Sequence, residues 1–494
     1  MKFQSTRSDG KIKYHSAQVI KQGLADDGGL FVPESIPTIS LEEINSFCSL
    51  SYPELAATVL SKFLSDYSYE ELLEDAKNAY THSGFDSDAC SLVKVDEGTY
   101  SLELWHGPTC AFKDMALQIM PRLLKRALIK TNEEKTALVL VATSGDTGKA
   151  ALEGYKDIDK FKIAVFYPEN GVSRIQKLQM ITQDGKNVDV CAVKGNFDDI
   201  QTGVKNIFSD PEVVKKLSDN GYFFSSANSI NFGRLAPQIV YYIYSYCEML
   251  KRGEISLGEA INVCVPTGNF GNILAAYIAK LMGLPVRKLI CASNSNNILT
   301  DFLNTGRYDR NRDFHLTISP SMDILISSNL ERLLYMIAGP QSTAKWMQSL
   351  TKNGYYEIDE ETFSAIKQSF CGYCADEKET LSTINAYFNN LNYLMDTHTA
   401  VAFSALNEYR AETNDLTKAI VASTASPYKF AKDVCFALSG VVADDNIGVL
   451  EGLSKSTDTE IPKPLADLDK RKVNFTNVCT PTEMREYVLK FTKK

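Results

Sequence analysis

Short runs rich in β-branched residues alternate with helix-patterned segments through most of this chain, and that alternation limits the fold more than any other feature. "TALVLVAT" precedes "GKAALEGYK", "KIAVFYP" precedes "GVSRIQKLQMITQDG", and "VDVCAV" precedes "FDDIQTGVKNIFSD". Further on, "INVCVPT" precedes "GNILAAYIAKLMG" and "KLICASN" precedes "NNILTDFLNTG". A strand that returns parallel to its predecessor needs a crossover of a dozen or more residues, usually a helix. The pattern therefore predicts an α/β fold, with parallel sheets covered by helices on both faces. The alternation begins at about Ser91. The residues before it mix helical patterns such as "SLEEINSFCSLSYPELAATVLSKFL" with turn-rich stretches and read as a small helix-rich domain. Residues 358–410 read as mostly helical, and "TKAIVASTA" supplies a last strand.

The bulk properties remove several function classes. The 494-residue chain can hold two or three domains with ample core. A net charge of -9 argues against nucleic acid, because a phosphate backbone is bound by a basic surface. No run reaches the roughly 18 apolar residues of a membrane span. "IVYYIYSYCEML" comes nearest and reads as a buried helix, while "MKFQSTRSDGKIKYHS" lacks the apolar stretch of a signal peptide. Eleven scattered cysteines do not make a disulfide framework and fit reduced thiols in a cytoplasmic protein. The one CxxC, Cys371 and Cys374, has no second pair, and the five histidines lie far apart. No metal site is expected, and no obligate protein partner is evident.

Ligands of open parallel sheets bind at the carboxyl ends of the strands, and four loops there are unusual. "VLVATSGDTGKAALEGY" looks first like the phosphate loop of an ATPase. That motif needs Gly-Lys-Ser/Thr with a glycine five positions earlier. Here Ala150 follows Gly148-Lys149, and Thr143 stands where the glycine belongs. The ATPase reading fails twice, leaving a strand–turn–helix with the hydroxyls of Thr143, Ser144 and Thr147 and the Asp146 carboxylate. In "VPTGNFGNILAAYIAK", Gly268, Asn269, Phe270, Gly271 and Asn272 join a strand to a helix. Inward N–H groups and a helix N-terminus suit a dianionic phosphate, although a plain strand-to-helix turn would look the same. It is not GxGxxG, so no dinucleotide fingerprint is present. "LWHGPTCAFKDMALQIM" places Lys113 between Phe112 and Met115. A helical lysine is usually solvated, but these neighbours would desolvate it and leave a population of free amine. A nucleophilic amine near a phosphate cradle points to pyridoxal phosphate. In "VASTASPYKF", Ser423 and Thr424 end a strand, either as a cap or as hydroxyls available to a pyridine nitrogen.

In their order and spacing these segments resemble the threonine synthase family, pyridoxal-phosphate enzymes of the tryptophan-synthase-β (type II) fold. The resemblance runs end to end. It includes "STRSDGKIKYHSAQVIKQGLADDGGLFVPESIP", "HGPTCAFKD", "ATSGDTGKAA", "SSANSINFGRLAPQIVYY", "ASNSNNILTDFLNTGRY", "SPSMDIL", "DTHTAVA" and "STASPYKF". It implies two parallel-sheet domains behind a helix-rich N-terminal domain of residues 1–90. The large, cofactor-binding domain would span 91–136 and 236–494, and a small mobile domain 137–235. It also implies that Lys113 carries the cofactor and shuttles protons. Gly268, Asn269, Phe270, Gly271 and Asn272 would hold the cofactor phosphate, and Thr424 would contact the pyridine nitrogen. Thr143, Ser144, Gly145, Asp146 and Thr147 would bind the substrate α-carboxylate, and Ser229, Asn231 and Arg234 the substrate phosphate. The reaction implied converts O-phospho-L-homoserine and water to L-threonine and phosphate.

Relatives in the wider fold often carry "NPTGSFKD", whose asparagine faces the cofactor 3-hydroxyl; this chain has Gly107 there. His398 and Lys149 lie in the matching motifs but stay outside the catalytic set. Serine/threonine dehydratases and β-replacing synthases share the lysine and phosphate loop, so the N-terminal domain and "SANSINFGRL" carry the choice between them. A non-catalytic pyridoxal-phosphate sensor is the rival from another class.

Overall fold

The computed structural model describes residues 1–85, 89–442 and 446–493. The larger sheet runs Phe370–Cys374, Val286–Ser293, Ile261–Pro266, Ala419–Ser423, Thr99–Glu103, Ser91–Lys94. Its neighbours are parallel except the last pair, an antiparallel hairpin at the edge. The smaller sheet runs Asn477–Cys479, Val188–Val193, Phe161–Pro168, Thr136–Ala142, Tyr222–Ser225 and is parallel throughout. Strands Val188–Val193, Ile261–Pro266 and Ala419–Ser423 are buried at every residue, as strands covered on both faces must be. The α/β architecture expected from the alternation is the one observed.

Ahead of the sheets, the ribbon of Phe3–Ser5 and Phe31–Pro33 packs with helices Ser16–Gln22, Leu41–Phe47, Tyr52–Phe63 and Tyr69–Tyr80. Their starts are set locally. The hydroxyls of Ser40 and Ser68 accept the N–H of Glu43 and Glu71, whose carboxylates accept the cap N–H in return. Arg332, wholly buried, donates to the carbonyls of Phe31, Ser229 and Ile230. One side chain thus ties the N-terminal domain to the "SANSI" segment.

Two segments depart from the sequence reading. Phe370–Cys374, read there as part of a helical stretch, is an edge strand carrying both cysteines of the CxxC. Helices on either side, Glu360–Ser369 and Glu377–Leu391, mask it in the pattern. The chain end, assigned with everything after residue 236 to the large domain, instead returns to the small sheet. Asn477–Cys479 pairs with Val188–Val193, and Val488 and Phe491 of the final helix bury against the same cluster. "IVYYIYSYCEML" lies in the helix Pro237–Lys251 as expected. Among the described residues no helix is long and apolar enough to cross a membrane.

The helix Asp146–Tyr155 of the small sheet sits directly on the short helix Asp114–Leu117. Gly154 permits the approach, because a Cβ there would lie 1.9 Å from the Leu117 carbonyl oxygen. A backbone atom cannot swing aside as a side chain can. Gly154→Ala is therefore expected to cost ~1–3 kcal/mol, read as a lower melting temperature, and to disturb the segment that carries Lys113.

Candidate active site

Lys113 stands at the start of the helix Asp114–Leu117, on a loop stitched to the end of a large-sheet strand. Ala111 bridges Ala425, and the Phe112 N–H donates to the Thr424 carbonyl at 2.8 Å. Only 8% of Lys113 is exposed. Its Nζ lies 3.3 Å from Ser321 Oγ and 3.6 Å from Asp146 Oδ2. The other oxygen, Asp146 Oδ1, accepts from Lys429 Nζ at 2.8 Å and from Gln176 Nε2 at 2.9 Å. Lys429 is fully buried and also donates to the Thr109 carbonyl at 2.9 Å. Burial pushes the Lys113 amine down to about 8, aided by Arg234 and Lys429 and opposed by Asp146. Burial alone would raise the Asp146 carboxyl, but Lys429 and Lys113 together hold it well below the usual carboxylate range. Asp114 goes the other way. Burial pushes it up to about 6 although it accepts the Thr109 N–H and hydroxyl at 2.8 and 2.7 Å.

The opposite wall is the loop after strand Ile261–Pro266. Phe270 takes the left-handed conformation (φ 61°) and launches the 12-residue helix Gly271–Met282. A Cβ on Gly268 would meet the Ser321 carbonyl oxygen at 2.6 Å, so glycine is what lets the loop pass. Ser327 Oγ donates to the Gly268 carbonyl at 2.7 Å, and Asn329 Nδ2 to that of Asn269 at 3.0 Å. Asn272 accepts the Tyr241 hydroxyl at 2.7 Å and that of Tyr242 through its Oδ1, while its buried Nδ2 has no partner among the described residues. An orphaned donor at a helix N-terminus, beside a turn cleared of Cβ atoms, is the arrangement an anion completes.

Ser321 links the two walls. Its N–H donates to His398 Nε2 at 3.1 Å, leaving the ring proton on Nδ1 to bond Asp396 Oδ2 at 2.7 Å. Asp396 is wholly buried and Ser321 half-buried. His398→Ala would leave the Ser321 N–H without its acceptor and take the ring donor from Asp396 Oδ2, which keeps the His398 N–H at 2.9 Å, a loss of ~1–3 kcal/mol in all. The expected result is a lower melting temperature together with a fall in turnover, since Ser321 then loses its place against Lys113.

The loop that opened the ATPase question is built differently from its sequence reading. Thr143 Oγ1 shapes the turn, accepting the N–H groups of Gly145 and Gly148 at 2.9 and 3.0 Å. The Asp146 carboxylate faces the two lysines, so of this residue only the backbone N–H, at the helix start, is left for a carboxylate. Gly145, at φ 140°, has Gln176 against it, where a Cβ would lie 2.4 Å from Gln176 Cδ. Ser144 and Thr147 remain, half-buried, with hydroxyls that make no hydrogen bond among the described residues. The "SANSINFGRL" residues also part company. Asn231 is wholly buried and consumed structurally, donating to the Ile20 carbonyl and accepting the Gly233 N–H, both at 2.9 Å. Ser229 lies beside Gly271, its Cβ 3.6 Å from where a Cβ there would sit. Arg234 is 7% exposed, donates to the Ala227 carbonyl at 2.8 Å and has no ion-pair partner among the described residues. Burial pushes its guanidinium down to about 10.

The remaining expected residues fall as follows. Thr424 sits buried beside Phe112, with a hydroxyl that makes no hydrogen bond among the described residues. Gly107 has no room for the asparagine of the wider fold, since a Cβ would meet Asp114 Oδ2 at 2.6 Å and Phe85 at 2.9 Å. Lys149 is neutralised by Glu153 at 2.8 Å and bonded to Gln183. Lys429, Ser321 and Gln176 were missed as site residues. The first two lie in "STASPYKF" and "SPSMDIL", but nothing local to those strings says that they meet Lys113 or Asp146.

A buried lysine of lowered pKa, facing a glycine-cleared anion loop across the carboxyl ends of parallel strands, defines the class of a pyridoxal-phosphate-dependent enzyme. Known proteins agree. The "Pyridoxal-phosphate dependent enzyme" profile matches residues 97–423, flanked by "Threonine synthase N terminus" over 2–80 and "Threonine synthase, C-terminal" over 399–488. Threonine synthase of Pseudomonas aeruginosa is 37% identical, with 88% of this chain and 90% of that protein covered. Human threonine synthase-like 1 is 41% identical over 86% of this chain; the chain spans 58% of that protein's length. A crystal structure of pyridoxal-phosphate-bound threonine synthase from Brucella melitensis superposes with a TM-score of 0.88 at 35% identity, covering all of both chains. The chain belongs to the threonine synthase family.

Proposed function

We propose that the protein converts O-phospho-L-homoserine and water to L-threonine and phosphate, by β,γ-elimination followed by addition of water at Cβ. The observation that carries this reading is Arg234. An arginine buried with no carboxylate against it among the described residues, close enough to Lys113 to depress its amine, is a site waiting for a dianion, and the phosphate-bearing substrate supplies one. Pyridoxal phosphate fits the facing wall. Lys113 would carry it, the N–H groups of residues 268–272 and Asn272 Nδ2 would take its phosphate, and the Thr424 hydroxyl would face its ring nitrogen. When bound, the cofactor supplies the electron sink that makes protons on the substrate's Cα and Cβ removable.

The chain's own groups do the rest. Lys113 Nζ takes the Cα proton, which requires the neutral amine that burial favours. Ser321 Oγ holds that nitrogen in place between transfers. The hydroxyls of Ser144 and Thr147, with the N–H groups at the start of helix Asp146–Tyr155, orient the substrate α-carboxylate. Arg234 and Ser229 hold the phosphate as it leaves. Closure of the small sheet over the substrate would exclude water until the step that needs it. The substrate is a small molecule. We read the eleven cysteines as reduced thiols of a cytoplasmic protein.

The test measures phosphate and threonine released from O-phospho-L-homoserine in one sample. Equal yields support the synthase. Phosphate with 2-oxobutyrate would move the assignment to a dehydratase-like lyase, and a cofactor absorption band with neither product would favour a binding protein.

A further inference from the structure

Asp146 belongs to the first helix of the small sheet, whereas Lys113 and Lys429 follow strands of the large one. The three charges meet with all three side chains at least nine-tenths buried: 3.6 Å from Lys113 to Asp146, 2.8 Å from Lys429 to Asp146. Such an ion triad is costly to bury unless each member is held. Lys429 is held by the Thr109 carbonyl and Asp146 by Gln176 of the helix Arg174–Ile181, whose Gln179 also reaches the Thr109 carbonyl, at 3.3 Å. Nothing in the reaction proposed above uses Lys429.

We propose that Lys429 is a positioning residue: it clamps Asp146 across the junction of the two sheets as a fixed negative charge beside the reactive nitrogen of Lys113. This rests on the reading of Lys113 as the cofactor-bearing lysine. The clamp has two consequences. Asp146 carries the turn that holds Ser144 and Thr147, so breaking its bond to Lys429 loosens the loop assigned to the substrate carboxylate. Lys429 also shares Asp146 with Lys113, so the two lysines compete for one carboxylate. The charged groups facing Lys113 are Asp146, Arg234 and Lys429. Asp114, next in the chain, turns to Thr109.

The competition makes opposite predictions for two substitutions. Lys429→Met removes a like charge and leaves Asp146 wholly to Lys113, so the Lys113 nitrogen should hold its proton to higher pH. Asp146→Asn removes the attraction and keeps the repulsion, so the proton should leave at lower pH. Shifts on the order of 1 unit are expected for charges at these distances. The readout is the pH titration of the bound cofactor's visible absorption in the holoenzyme, with Lys429→Gln as a second, more polar replacement. An upward shift for Lys429→Met or Lys429→Gln with a downward shift for Asp146→Asn supports the clamp. Shifts of the same sign, or none at Lys429, overturn it. A crystal structure of the wild-type holoenzyme with Lys429 out of contact with Asp146 would overturn it without any variant. Because absorption is read rather than turnover, a wrong substrate assignment would leave this result standing. A wild type with no cofactor band linked to Lys113 would instead defeat the underlying reading.

Discussion

Lys113→Ala is expected to reduce threonine formation from O-phospho-L-homoserine on the order of 10⁴-fold, the upper range for loss of a general base, and to abolish covalent retention of the cofactor. No neighbour can replace it. Lys429 is locked between Asp146 and the Thr109 carbonyl, and Lys149 is paired with Glu153. The same burial sets a pH dependence. A base must be neutral to accept a proton, so turnover should fall as pH drops below about 8, where burial has placed the amine. In the cofactor-free protein the stability sign follows from the same shift. The folded value of about 8 lies below the ordinary 10.5, so between them the unfolded chain binds more protons. Stability contributed at this site should therefore rise with pH across that window. Lys113→Met should remove that rise, roughly 3 kcal/mol at 1.4 kcal/mol per unit, in denaturant melts of the apo-protein at pH values on either side. A variant that keeps turnover, or an unchanged pH slope, would refute the role given to this lysine.

The buried lysine and the glycine turn that faces it were legible because their signals are local. Lys113 is flanked by Phe112 and Met115 within three positions, and the turn at residues 268–272 is written by two glycines between a strand and a helix. The regular strands were legible for a similar reason, since burial on both faces selects β-branched runs. What was not legible depends on partners distant in sequence. Asn477–Cys479 has only three residues and takes its identity as a strand from Val188–Val193. Phe370–Cys374 contains cysteine, glycine and tyrosine in place of a branched run. Asp146 looked like one more polar group in an anion-binding turn until two lysines, one 283 residues on (429 less 146), closed around it. Nothing local to Thr143 said that its oxygen would accept two N–H groups of its own turn. A polar side chain's type says what it can bond. Only the fold says which bond it has already made.

Arg234→Met is expected to lower kcat/KM on the order of 10²–10³-fold, the range for cutting a buried charged hydrogen bond of ~3–4 kcal/mol, while leaving the free protein at least as stable. The two halves of that expectation come from one fact. An arginine brought down from 12.5 to about 10 by burial costs the empty protein roughly 3 kcal/mol, because no carboxylate among the described residues offsets its charge. Methionine of similar length removes that cost and loses only the bond to the Ala227 carbonyl, worth ~1 kcal/mol. Selection for stability alone would not keep such a residue; a dianion that arrives with the substrate explains why it stays. Inorganic phosphate provides the cross-check. It should raise the melting temperature of the wild type by binding only the folded state, and raise that of Arg234→Met much less. If the variant melts lower and keeps its kcat/KM, Arg234 is a structural tether for the Ala227 turn, and the phosphate subsite must be sought elsewhere in the cleft.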